Sequence, residues 1–135
     1  MAEALQRKSL DSPDETRTFD QGELRTVTLG DFKVARAVMQ PGWKWSEHVK
    51  PIAKTDSCQV KHTGYVVSGR LKVVMDDGSE EEFGPGEAYV IPPGHDGWVV
   101  GDEPFVGVDV STQTVEEFAQ EAGMVEKAKD KISGQ

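Results

Sequence analysis

The chain's only three imidazoles, His48, His62 and His95, all lie in the middle of its 135 residues. Each sits beside a short glycine-punctuated run. His48 ends the run that begins at Gly42, His62 precedes Thr63 to Gly69, and His95 directly follows Gly86 to Gly94. Imidazole is the commonest protein ligand for transition metals and titrates nearest neutral pH. Three of them at the ends of separate strands would meet inside a barrel. Three neutral imidazoles suit zinc, nickel, iron or copper, whereas magnesium and calcium prefer oxygen. A three-ligand site also leaves one position open to water or substrate. Glu47, Asp56, Cys58 and Asp96 are the residues nearby that offer a fourth ligand atom.

The elements that must position these side chains are short β-prone runs separated by turn signals. Leu24 to Leu29 and Phe32 to Met39 read as strands joined through Gly30-Asp31. Tyr65 to Val67, Leu71 to Met75, Ala88 to Ile91, Trp98 to Val100 and Phe105 to Val110 follow. Asp76-Asp77-Gly78-Ser79 has the Asp-Gly pair that supplies the positive φ of a hairpin turn. In the last run Val106, Val108 and Val110 alternate with Phe105, Gly107 and Asp109, the period of a half-buried strand. Several strands at this spacing with no helix between them indicate a sandwich or barrel.

The pattern changes towards the ends. Residues 1–21 are polar and aperiodic and read as a flexible N-terminal arm, leaving 22–112 for the barrel. Residues 113–135 read as a C-terminal α-helix on the barrel's outside. Thr114 and Glu117 form a capping box there, and Phe118, Ala119, Ala122, Val125 and Ala128 recur at helical spacing.

Composition narrows the classes of function. Fifteen basic against 24 acidic residues give a formal charge of −9, which argues against binding nucleic acid or an anionic membrane. No apolar run reaches the roughly 18 to 20 residues of a membrane span. The N-terminus lacks the apolar core of a signal peptide, and Cys58 has no second cysteine to pair with, so a cytoplasmic location is expected.

Gly42 to Val110 resembles a cupin, the small β-barrel of the double-sheet jelly-roll type. Gly42 and His48 have the spacing that opens the family's first motif, and His62, separated from Gly69 by six residues, stands where that motif usually has glutamate. Gly86, Pro92 and Gly94 match the start of the second motif. Three departures accompany the match. Lys50 replaces the first motif's second histidine, the 49–61 spacer is long, and His95 lies two residues before the usual histidine position, occupied by Gly97. The resemblance implies an all-β jelly-roll barrel, a homodimer, and a transition metal held by His48, His62 and His95. Trp43, Trp45, Lys50, Tyr65, Tyr89 and Trp98 are expected to line a pocket for a small organic molecule. Lys44 and Lys50 would offer cations to an anionic substrate, while Lys54 and Lys61 read as solvated strand-edge residues. The leading expectation is a metal-binding barrel with a small-molecule pocket. A metal-free ligand-binding or sensor barrel is the alternative, which Lys50 favours because an ammonium beside His48 repels a cation. A third option is a metal-free enzyme with His62 as base and Tyr65 or Tyr89 as acid.

Overall fold

The computed structural model describes residues 4–111. The helix expected over 113–135 lies outside them. In chain order the elements are β1 (Glu15–Phe19), β2 (Gly22–Leu29), β3 (Phe32–Met39), α1 (Trp45–His48), α2 (Lys50–Ala53), β4 (His62–Ser68), β5 (Arg70–Met75), β6 (Glu80–Phe83), β7 (Ala88–Ile91), β8 (His95–Val100) and β9 (Phe105–Ser111). Every strand pairing is antiparallel. One sheet runs β1-β2-β3-β9-β4-β7 and the other β6-β5-β8. This two-sheet, all-β arrangement is consistent with the jelly roll. No helix among the described residues is long and apolar enough to cross a membrane.

Alternation along each strand decides what faces the space between the sheets. Leu71 and Val73 of β5, Tyr89 and Ile91 of β7, Val99 of β8, Phe105 of β9 and Val66 of β4 bury their side chains there with Trp43 and Trp45. In β9 it is the Phe105 and Gly107 side of the alternation that is buried, while Val110 is exposed. Tyr65, Val67 and Val90 are likewise exposed.

The expected turns form where glycine permits them. Gly78 (φ 92°) closes the β5–β6 turn, its N–H donating to the Met75 carbonyl. Gly64 is needed for a different reason, close approach. A Cβ there would lie 2.1 Å from the Val108 carbonyl oxygen and 2.9 Å from an Asp109 carboxylate oxygen. We expect Gly64→Ala to lower stability by about 1–3 kcal/mol or more, as overpacking does. A denaturant midpoint equal to wild type would show that the β4–β9 pair can part without cost.

Three features depart from the sequence expectation. Glu15–Phe19, inside the segment read as a flexible arm, pairs with β2 along its whole length as an edge strand. The run ending at His48 is helical: the N–H groups of Glu47 and His48 both donate to the Lys44 carbonyl, and Pro51 sits in the first turn of α2. Finally, β4 and β8 start three residues earlier than the Tyr65 and Trp98 read from sequence, at His62 and His95.

Candidate metal centre

Those extensions matter because they make His62 and His95 the first residues of two strands in opposite sheets. Their rings meet edge to face with centroids 5.3 Å apart. Cys58 reaches them from the long loop after α2. Its backbone bridges that of His95, donating to the His95 carbonyl at 2.7 Å and accepting from the Gly94 N–H at 2.7 Å. Gly94 (φ 95°) provides the bend that turns the Pro92-Pro93 segment into β8. The potential ligand atoms of Cys58, His62 and His95 all lie within 4.8 Å of one another.

Each imidazole is oriented by a partner on its far nitrogen. His62 Nδ1 lies 2.8 Å from Asp109 Oδ2, and His95 Nδ1 lies 2.7 Å from the Pro92 carbonyl. Both partners only accept, so both Nδ1 atoms carry the proton and Nε2 is left as the coordinating or basic atom. His62 Nε2 is 3.9 Å from Cys58 Sγ. The other Asp109 oxygen accepts a hydrogen bond from the Tyr89 hydroxyl. Burial and the Asp109 carboxylate push the Tyr89 phenol far up, so that proton stays in place.

Burial opposes ionisation of Cys58, yet hydrogen bonds and charge from His62 and His95 outweigh it and bring the thiol down to about 6. Burial likewise opposes a cationic His62, but Asp109 and Cys58 raise it to about 10. Between those values the metal-free pair is a thiolate beside an imidazolium. The consequence for stability follows from the ordinary values, 9.0 for the thiol and 6.5 for the imidazole. The raised His62 contributes stability that is full below about pH 6.5 and lost as pH rises through about 10. The lowered Cys58 contributes stability present above about pH 9 and lost as pH falls through about 6. From about pH 6.5 to 9 the folded and unfolded pairs hold the same number of protons, so their joint contribution is level there and falls on both sides. Urea midpoints of metal-free wild type minus the double variant Cys58→Ser/His62→Gln, which removes both titrating groups, should trace that plateau across this range; a steady slope through neutrality would contradict it.

A cavity of about 260 Å³ opens beside the cluster, and Cys58, His62, His95, Tyr89 and Asp109 all belong to its lining. That is just below the roughly 300 Å³ at which small-molecule sites usually begin.

A family model of the cupin domain matches residues 35–111. The chain belongs to the cupin family. No curated protein is significantly similar to it in sequence. Solved structures share the fold. A protein of unknown function from Rhizobium leguminosarum bv. viciae 3841 superposes with a TM-score of 0.60 at 20% identity, over 83% of this chain and 100% of that one. The polyketide cyclase RemF from Streptomyces resistomycificus gives 0.55 at 21% identity, over 79% of this chain and 78% of that one. The oxalate decarboxylase of Lactobacillus farciminis gives 0.56 at 21% identity, over 75% of this chain but 31% of that one.

Within this cupin the expected ligand set is only partly brought together. His62 and His95 meet, and His95 shares its strand face with Gly97, the usual histidine position. His48 does not join them. One turn of helix carries its ring back over Lys44, whose N–H donates to Nδ1 at 3.0 Å, while Nε2 lies 3.7 Å from Asp20. Among the described residues the third potential ligand is Cys58, and no other group of three such side chains converges.

The expected pocket residues divide in the same way. Trp43, Trp45 and Tyr89 line the cavity. Tyr65 and Trp98 do not, because each stands three residues from an inward histidine on its strand, and an odd offset points the other way. Tyr65 is exposed and Trp98 stacks beneath the Lys44 ammonium, 5.1 Å from its ring centre. Lys50 opens α2 and is not part of the lining, so the ammonium that weighed against a metal stands apart from the cluster. Asp109 was missed as a site residue, although the β9 alternation already placed it on one face with Phe105 and Gly107.

Proposed function

We propose that this cupin binds one divalent transition metal through Cys58, His62 and His95, in a jelly-roll barrel whose cavity admits a small organic molecule. The observation that carries the reading is the convergence of three donor atoms, both imidazoles already presenting Nε2. The donor set fits. A tetrahedral zinc with bonds of about 2.0–2.3 Å holds its nitrogen and sulfur ligands roughly 3.5 Å apart, so modest side-chain rotation closes the trio. One thiolate and two imidazoles suit zinc, iron, nickel or copper, and three protein ligands leave a position for water or substrate.

When bound, the metal would supply a Lewis acid and a site for activating water. The chain's own residues have defined parts beside it. Asp109 holds the His62 proton on Nδ1 and fixes the ring, Tyr89 holds Asp109, and the apolar walls with Trp43 and Trp45 limit water. Fold neighbours that include an oxalate decarboxylase and a polyketide cyclase support chemistry on small organic molecules, without choosing the reaction. Elemental analysis of tag-free protein should find about one transition metal per chain. Protein that is purified without metal and refuses zinc, nickel, iron and copper on titration would overturn the reading.

A second reading draws on the same geometry. Cys58, His62 and Asp109 form a chain of thiol, imidazole and carboxylate, and a thiol brought to about 6 is a nucleophile at neutral pH. It becomes the better account if metal is refused, and alkylation of Cys58 separates the two.

A further inference from the structure

The cavity beside the cluster is walled mainly by apolar side chains, yet its lining includes one permanent cation, Arg17. Among the described residues no other arginine and no lysine belongs to it. Arg17 comes from β1, the strand that the sequence hid in a polar arm. In register it faces Leu24, which faces Ala37, and both of those line the same cavity.

The guanidinium is not committed elsewhere at great cost. Its Nε sits 2.8 Å from Glu15 Oε2, with both side chains more than 40% exposed. Exposed pairs of this kind contribute little, and a guanidinium has five N–H donors, so its terminal nitrogens remain available to another carboxylate. Trp43 stands in the same cavity wall.

The sheet order sets the shape of what would fit. Three strands, β2, β3 and β9, lie between β1 and β4 in the sheet. A molecule reaching from Arg17 towards His62 must therefore be elongated, and the walls between require it to be apolar.

We propose that the cavity takes an elongated apolar carboxylic acid, with its carboxylate on Arg17 at the β1 side and its other end towards Cys58, His62 and His95. The far end rests on the metal reading above; the Arg17 end does not.

Isothermal titration of the full chain with octanoate and with octanamide tests this, on metal-loaded and chelator-treated samples whose metal content is measured. Octanoate should bind about tenfold tighter than octanamide, with the preference shrinking at high salt. Arg17→Gln should erase the preference and leave octanamide binding as in wild type, which also reports an intact cavity. Glu15→Gln, which frees Arg17, should strengthen octanoate binding. Equal affinities for the two probes, binding of neither, or a preference that survives Arg17→Gln would overturn the proposal. Metal present without a carboxylate preference defeats this inference alone. A preference without any metal defeats the metal reading alone.

Discussion

Replacing His62 with alanine should strip the protein of its metal, whereas His48→Gln should leave about one ion per chain. Structural zinc sites hold their ion with about 10–16 kcal/mol over four ligands, so each ligand is worth roughly 3 kcal/mol, more than a hundredfold in affinity. Cys58→Ser and His95→Ala should lose metal to a similar degree. Asp109→Asn removes no ligand but frees the His62 ring and exchanges the acceptor on Nδ1 for a weaker one. A loss of about 10–100-fold is expected for such an outer partner. Competition with a chelator of known affinity reads each value, and a thermal melt of each variant confirms that it folds. Metal retained by His62→Ala, or lost in His48→Gln, would contradict the geometry. The second result would restore the ligand set expected from motif spacing.

The second large effect is on Cys58 itself. In metal-free protein the rate of its alkylation by iodoacetamide should rise with a midpoint near pH 6, where the thiolate forms, instead of near the ordinary thiol value of 9.0. Asp109→Asn should move that midpoint upward. With its carboxylate partner gone the His62 imidazolium is less favourable, and the thiolate loses the cation beside it. Adding zinc should slow the reaction at least tenfold, because coordination draws the thiolate's charge onto the metal and shields the sulfur. A midpoint near 9.0 would remove the ion pair from the account. A low midpoint with no protection by zinc, nickel, iron or copper would favour the thiol-nucleophile reading over the metal.

Much of the fold was legible because it depends on local features. The alternation in Phe32–Met39 and Phe105–Ser111, and the Asp-Gly turn at Gly78, are properties of neighbouring residues and appear as strands and turn where expected. Glu15–Phe19 was illegible because every residue in it but Phe19 is polar, so no apolar alternation shows; it is a strand because β2 presents an edge to pair with. Parity, followed strictly from His62 and His95, would have turned Tyr65 and Trp98 outward without any structure. The failure at His48 was of another kind. Its motif spacing was right, but four residues wound into a helical turn send the ring back to Lys44.

The sequence by itself determined that the chain is built from short strands and that it is a cupin in kind, and it offered His48, His62 and His95 alike as metal ligands. The strands rest on periodicity and turn composition, and the family and its histidines on a resemblance in motif spacing, all of which are written locally. Only the tertiary structure decided the rest of the centre. Cys58 joins it because a loop with no period of its own is pinned by backbone hydrogen bonds to Gly94 and His95. Asp109 joins it because β9 pairs with β4, and Arg17 reaches the cavity beside it because β1 lies at the edge of that sheet. Distance along the chain carries no record of either, since strand pairing is settled by the free energy of the whole packed molecule.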